Sequence, residues 1–272
     1  MNSNSGAKIS ELLDTKVTII LAILCVIACT VIFLAYRAYK ANTSTEKSKT
    51  IDTKKITIIA MLCAIAYAVT FLAHMVPFLN FIPAVGFLKY DPTDIIIAIG
   101  SFMMGPLVGF IMSVIVSFIE TITISSTGPI GFIMNVISSC AFACTASAIY
   151  KKKRDMTGAV IGLISGVIAM TAVMLLWNYF LTPLYQKVPR EVIVSLLIPG
   201  FLPFNLIKAS INSAFVLLLY RPLVTALRKA GHLPPSVSGT VKNSRVTIGV
   251  SVAAILILVS CVMLILVLSD II

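Results

Sequence analysis

The chain has 272 residues, of which 59% are hydrophobic and only 11% are charged. Soluble globular domains carry about 25% charged residues, so the composition excludes an ordinary soluble domain and predicts an all-α, polytopic transmembrane helix bundle. The formal net charge of +11 comes from lysines and arginines in loops between apolar runs. That pattern orients a membrane protein in the bilayer, and we expect no nucleic-acid partner.

Eight apolar runs are candidates for spanning helices, because about 20 apolar residues cross the hydrocarbon core. The first run lacks a strongly basic segment before it and a small-residue cleavage site, so we expect a retained anchor rather than a signal peptide. The third run is short, and a tilted or partly re-entrant helix is expected there. In chain order the runs are 17–36, 56–76, 93–104, 107–124, 130–150, 158–181, 200–220 and 246–268.

Two polar linkers separate a central six-span unit from one added helix at each end. We therefore expect an N-terminal anchor helix and linker at 1–54, a six-helix core at 55–221, and a linker and C-terminal anchor at 222–272. Loops 37–55, 151–154 and 221–245 carry six, four and five Lys and Arg, against five on the opposite side. The positive-inside rule makes these loops cytoplasmic. Both termini are then extracytoplasmic in a multi-pass protein of the cell membrane.

The six cysteines all lie within apolar runs, and two pairs of them are spaced four residues apart. A metal site built on such a pair needs further ligands, and the chain has only two histidines. We interpret the cysteines as small apolar packing residues and expect neither a metal site nor a disulfide framework. They are Cys25, Cys29, Cys63, Cys140, Cys144 and Cys261.

Lys208 is the one full charge inside the run 200–220. A lysine at that depth costs on the order of 3 kcal/mol or more, and such residues usually face a bundle interior or a wet cavity. Asn205 lies on the same helix face, three residues nearer the outside. Further polar residues lie toward the outer ends of other runs, which predicts a cavity that opens outward. These residues are His74, Asp94, Glu120, Asn135 and Asn178.

Each polar residue also has a purely structural alternative. Lys208 can snorkel to the nearer interface on its long side chain. Asn135, Asn205 and the deeper Asn212 can form interhelical hydrogen bonds, which are common in membrane bundles. Trp177 can stack on a planar ligand or belong to the interfacial aromatic belt.

Small residues recur every four positions in two helices. The series Ala60, Ala64 and Ala68 lies in the second run, and the series Gly158, Gly162 and Gly166 lies in the sixth. Such faces allow helices to approach closely. We expect the glycine series to pack inside the bundle, whereas the alanine series is a candidate surface for docking another membrane protein.

Four segments in order resemble the substrate-binding S components of energy-coupling factor (ECF) vitamin transporters, and the riboflavin-specific type most closely. They are FLKYDPTDIIIAIGSFMMGPLVG (87–109), GPIGFIMN (128–135), NYFLTPLY (178–185) and PFNLIKASINS (203–213). The resemblance covers the central unit and implies a six-helix fold in a prokaryotic cell membrane. The anchors predicted at the two ends depart from that six-span pattern.

The resemblance also implies a role and partners. S components bind a vitamin in an outward pocket and associate with a transmembrane coupling subunit and two ATPase subunits. The family's A-x-x-x-A face for the coupling subunit corresponds to Ala60, Ala64 and Ala68. Its N-x-x-K motif corresponds to Asn205 and Lys208, and the Asn of its N-Y-F segment corresponds to Asn178. With Asn135, Trp177 and Lys89 added, these residues are the predicted ligand-binding set, and riboflavin is expected as a transported ligand rather than a cofactor.

Other functions remain open at this point. The chain has no G-x-x-x-x-G-K-[ST] loop, so energy for uptake must come from another chain or from a gradient. An S component for another small vitamin and a solitary facilitator are alternatives. An intramembrane enzyme using His74 and Glu120 is a distant one, because no G-x-S-x-G or H-E-x-x-H motif is present and nothing in the sequence orients an acid and a base. We therefore expect a protein that is not an enzyme.

Overall fold

The computed structural model describes residues 53–75, 82, 85–86, 88–125, 128–229 and 244–268. Within these residues the regular structure is entirely helical, in seven helices with no strand. This agrees with the predicted all-α bundle. The predicted first span, 17–36, lies outside the described residues.

The seven helices follow one another in the order of the predicted spans. They are α1 (Thr53–His74), α2 (Thr93–Met104), α3 (Pro106–Thr123), α4 (Gly128–Ser139, a π-helical turn at Cys140–Cys144, then Thr145–Lys152), α5 (Met156–Gln186), α6 (Arg190–Leu196, a π-helical turn at Leu197–Phe201, then Leu202–Lys229) and α7 (Ser244–Leu268). All except α2 are long and apolar enough to cross a membrane.

Helix α2 is short because the chain breaks on both sides of it. Pro92 stands at its N-terminal end, and Gly105 follows it with a φ of 104°, a left-handed conformation that glycine adopts without a side-chain clash. Pro106 then begins α3. Proline is tolerated at this first helical position because the N–H that it lacks would have no partner within the helix. Ten of the 12 residues of α2 are buried, and the helix contacts α1, α3, α4 and α6. The short third span is therefore the central helix of the bundle.

Helices α4 and α5 pack closely along the predicted glycine face. A Cβ atom built at Gly162 would lie 2.5 Å from the backbone oxygen of Ala146, and one at Gly166 would lie 2.8 Å from that of Phe142. Only residues without a side chain allow this approach. The prediction that the glycine series packs inside the bundle is confirmed.

Helix α7 is attached to the bundle along one narrow stripe. Leu258, Cys261 and Ile265 contribute to an apolar cluster that also contains Ile207 and Ile211 of α6. Most other large apolar side chains of α7, such as Ile248 and Leu256, are exposed. An apolar helix that exposes most of its surface suits a lipid environment, because a helix pairs its backbone polar groups internally and needs no water to bond them.

The substitution Gly162→Ala tests the close approach of α4 and α5. The added methyl group meets a backbone oxygen that cannot rotate away, so overpacking should cost about 1–3 kcal/mol and lower the melting temperature of the purified protein. Gly249→Ala in α7 is the matched control, because a Cβ atom there meets nothing within 4 Å. A Gly162→Ala protein that melts at or above the temperature of the unsubstituted protein would contradict the packing described here.

Candidate ligand-binding site

The predicted polar residues lie at one end of the bundle. Helices α1 to α6 alternate in direction, so the end of α1, the start of α2, the end of α3 and the start of α4 meet there. Thr70 of α1, Thr93 of α2 and Glu120 of α3 are in hydrogen-bonding contact at this end. At the opposite end, Phe102 and Tyr150 stack with ring centroids 4.6 Å apart. Glu120 and Asp94, which follows Thr93, therefore lie at the same end of the bundle, whereas the buried hydroxyls of Ser101 and Ser147 pair near the other end.

Lys208 forms a buried ion pair with Asp94. The Lys208 Nζ atom lies 3.4 Å from Asp94 Oδ2, and the two side chains are only 10% and 1% exposed. The pair joins α6 to the first turn of α2, where a negative charge is also stabilised by the helix dipole. The ammonium therefore points into the bundle toward a carboxylate rather than snorkelling along the surface.

Three more residues complete what we call the Asp94 cluster: Ser139, Asn212 and Tyr90. The Ser139 hydroxyl donates to Asp94 Oδ1, and Asn212 Nδ2 lies 3.4 Å from Asp94 Oδ2. The Tyr90 hydroxyl donates to Asn212 Oδ1 over 2.7 Å. Burial, reinforced by the nearby Asp91 and Asp94, raises the pKa of the Tyr90 phenol, so this hydroxyl keeps its proton for the hydrogen bond. The cluster connects α2, α4 and α6.

A second group of polar residues, the Glu120 cluster, consists of Glu120, Asn135, Thr93, Thr70 and Asp91. Thr93 Oγ1 lies 2.7 Å from Glu120 Oε1 and 2.5 Å from Asp91 Oδ1. Asn135 Nδ2 donates to Glu120 Oε2 over 3.3 Å, and Thr70 contacts both Thr93 and Asp91. Since Thr93 and Asp94 are consecutive, the two clusters meet at the N-terminus of α2.

Asn205 and Asn178 bond to their own helices rather than to either cluster. Asn205 Nδ2 donates to the backbone oxygen of Phe201 over 2.8 Å, at the residue that ends the π-helical turn of α6. Asn178 Nδ2 donates to the backbone oxygen of Met174 over 2.7 Å, and its Oδ1 accepts from Thr182. Both side chains are buried, and these hydrogen bonds stabilise the helices on which they lie.

The other two predicted ligand-binding residues, Trp177 and Lys89, are not part of either cluster. The Trp177 indole packs against the apolar core, and its buried Nε1–H has no hydrogen-bond partner among the described residues. An unpaired buried donor costs free energy, which an acceptor on a bound molecule would recover. Lys89 is exposed, directly before Tyr90.

The predicted partner-binding residues Ala60, Ala64 and Ala68 are all exposed on α1. The opposite face of this helix is buried through Ile58, Leu62 and Ala66. The alanines therefore do not pack within the described bundle, and their small side chains leave a shallow strip on its surface.

The residues that hold Lys208 in place were not among the predicted site residues. The sequence predicts Asp94 only as one of several outer polar residues, and no pattern distinguishes Ser139 or Tyr90. One signal was present in the sequence, because Asp94 and Glu120 are the only acidic residues within the six core spans. A buried lysine requires a counter-charge, so the choice of partner was limited to these two.

Comparisons with known proteins agree with this architecture. A family model for the substrate-specific component of ECF transporters matches residues 54–220. The riboflavin transporter RibU of Staphylococcus aureus is 33% identical over 157 residues, which cover 56% of this chain and 82% of that protein. The riboflavin transporter FmnP of Bacillus subtilis is 27% identical over 156 residues, covering 53% and 82%.

A solved structure described as the S component of a bacterial ECF transporter superposes with a TM-score of 0.54 at 36% sequence identity. The superposition covers 64% of this chain and 98% of the solved chain. The family match extends from the start of α1 to Tyr220 in α6 and includes the ion pair, both polar clusters and the alanine face. The chain therefore belongs to the family of substrate-specific components of ECF transporters.

Proposed function

We propose that this chain binds riboflavin at the outer side of the membrane and delivers it for uptake with a separate ATP-driven coupling module. The single observation that carries the proposal is the buried Lys208–Asp94 pair within a polar centre at one end of the bundle. The naming of two relatives as riboflavin transporters supports the choice of ligand. Those relatives are transporters, which supports a binding subunit rather than an enzyme.

The chemistry of the polar end suits riboflavin, which combines a planar ring bearing carbonyl groups with a polyhydroxyl chain. The Lys208 ammonium has three N–H donors, and Asp94 contacts the ammonium from one side only. The Trp177 Nε1–H is a further donor without a partner in the described residues. Few polar groups against mostly apolar walls are typical of small-molecule sites. The proposed ligand-binding residues are Lys208, Asn205, Asn178, Asn135, Trp177 and Lys89.

Transport by this chain requires an energy source outside it, because the sequence has no phosphate-binding loop. A transmembrane coupling subunit and two ATPase subunits would supply it, as the family implies. We propose that the coupling subunit packs on Ala60, Ala64 and Ala68, whose exposure on α1 leaves them accessible to another helix.

We further propose that the chain crosses the membrane eight times with both termini outside. The division would be an anchor and linker at 1–54, the six-helix core at 55–221, and a linker and anchor at 222–272. The exposed apolar surface of α7 and the excess of basic residues in loops 37–55, 151–154 and 221–245 support this arrangement.

Lys208→Ala and Asn205→Ala should each weaken riboflavin binding. Loss of a hydrogen bond to a charged group costs about 1.5–3 kcal/mol, so Lys208→Ala should raise Kd by about tenfold to a hundredfold. Quenching of riboflavin fluorescence on the purified protein measures Kd. Ser113→Ala is the control, since this buried hydroxyl donates to the Gly109 backbone oxygen and belongs to neither polar cluster. Tight binding retained by both variants would exclude these two residues from the site.

Ala64→Leu should prevent assembly while leaving riboflavin binding unchanged. The larger side chain fills the shallow strip on α1 and holds an approaching helix away. Co-purification with the coupling subunit and ATPases, together with cellular uptake, measures assembly. Ala253→Leu is the matched control, because Ala253 is an exposed alanine on α7. Uptake that persists in cells lacking the coupling subunit would instead indicate a solitary facilitator.

A reporter fused to the C-terminus tests the orientation of α7. Alkaline phosphatase is active only outside the cytoplasm, so we expect activity when it follows the full chain. Fusion directly after Lys229, which removes α7, should leave the enzyme inside and inactive. Equal activity from the two fusions would contradict the proposed crossing by α7.

A further inference from the structure

We propose that Asp94 is a positioning residue for ligand recognition, which holds the Lys208 ammonium at the place where it meets the ligand. The proposal rests on the proposed function, because it takes Lys208 to be a ligand-binding residue. Asp94 acts through the lysine and does not itself contact the ligand.

Both oxygens of the Asp94 carboxylate are already engaged by side chains of the protein. The Asp94 side chain is 1% exposed. Ser139 donates to Oδ1, whereas Oδ2 faces Asn212 Nδ2 and Lys208 Nζ, each at 3.4 Å. A ligand could reach this carboxylate only by displacing one of these side chains.

Lys208 is different, because its ammonium keeps donors that Asp94 does not use. An ammonium carries three N–H groups, and Asp94 is the only acidic group within 4 Å of it among the described residues. Its side chain is 10% exposed, so part of it remains accessible. The remaining N–H groups are thus available to an oxygen acceptor on a bound molecule.

The carboxylate also determines where the ammonium rests. A lysine side chain without a partner extends toward water at the nearer interface. Asp94 opposes this movement from α2, whose residues are almost all buried, and is itself fixed by side chains of α4 and α6. The ammonium is therefore held at one position before the ligand arrives, which reduces the ordering cost of binding.

A double-mutant cycle in the full-length protein separates this role from a merely structural one. The variants are Asp94→Asn, Lys208→Met and the double substitution, and the ligand is riboflavin, followed by fluorescence quenching. We expect Asp94→Asn to raise Kd by about tenfold when Lys208 is present. In the Lys208→Met background the same substitution should change Kd by less than about twofold, because there is no ammonium left to position.

The melting temperatures of the same four ligand-free proteins report the ion pair independently. Each single substitution leaves a buried charge without its partner, and the double substitution removes both charges. The double variant should therefore melt at a higher temperature than Lys208→Met alone. Ser213→Ala is the control in the same helix, because its buried hydroxyl donates to the Ala209 backbone oxygen of that helix. This substitution should leave Kd unchanged.

Three results would overturn the proposal. The first is an Asp94→Asn protein that binds riboflavin as tightly as the unsubstituted one. The second is an equal loss of affinity in both backgrounds, which would mean that Asp94 acts independently of Lys208. The third applies if binding to Lys208→Met is too weak to measure. In that case, a double variant whose melting temperature falls by the sum of the two single decreases would overturn the proposal. An unsubstituted protein that does not bind riboflavin would refute the proposed function, whereas the melting temperatures would still test the pair.

Discussion

The buried ion pair between Lys208 and Asp94 is the interaction on which the arrangement of the polar end depends. A lone charge in a bilayer is expensive, and additional hydrogen bonds help a buried pair to offset the cost of leaving water. Ser139 and Asn212 supply these bonds to the carboxylate, so one ion pair brings α2, α4 and α6 into a fixed relation. Replacing either charged residue would therefore disturb three helices as well as the site.

The shortness of α2 is what allows the pair to form inside the bundle. A helix of 12 residues is too short for the hydrocarbon core, which requires about 20. Its first residue, Thr93, contacts Thr70 and Glu120, which lie before the last residues of α1 and α3. Asp94 lies in the first turn of α2, and the chain before it supplies Tyr90 and Asp91 to the same region. The breaks at Pro92 and Gly105 thus position a carboxylate at the level that Lys208 occupies on α6.

Much of the fold was predictable from the sequence, whereas the pairing of side chains was not. Spans from 56 onward follow from runs of apolar residues, because the bilayer imposes one length on every crossing helix. Alternation of direction then puts the polar residues at one end. Which face of α6 meets which face of α2 depends on packing over the whole bundle, so the contact of Lys208 with Asp94, 114 positions apart, has no local signature. The π-helical turns at Cys140–Cys144 and Leu197–Phe201 were likewise not predicted, and Asn205 donates to the backbone oxygen of Phe201, the last residue of the second turn.

The two series of small residues also show what residue spacing alone cannot predict. The glycine series 158, 162 and 166 has the same four-residue spacing as the alanine series 60, 64 and 68. Yet Gly162 and Gly166 lie against α4 and Gly158 lies against Lys153 just beyond it, whereas the alanines are exposed. In a soluble helix, the polar face would show which side is outward. Helix α1 is apolar on both faces, with Leu62 buried and Leu72 exposed, because lipid and protein interior select the same residue types. Spacing therefore identifies a face that permits close approach, and only the folded bundle distinguishes a face already covered by its own helices from one that is left for a partner.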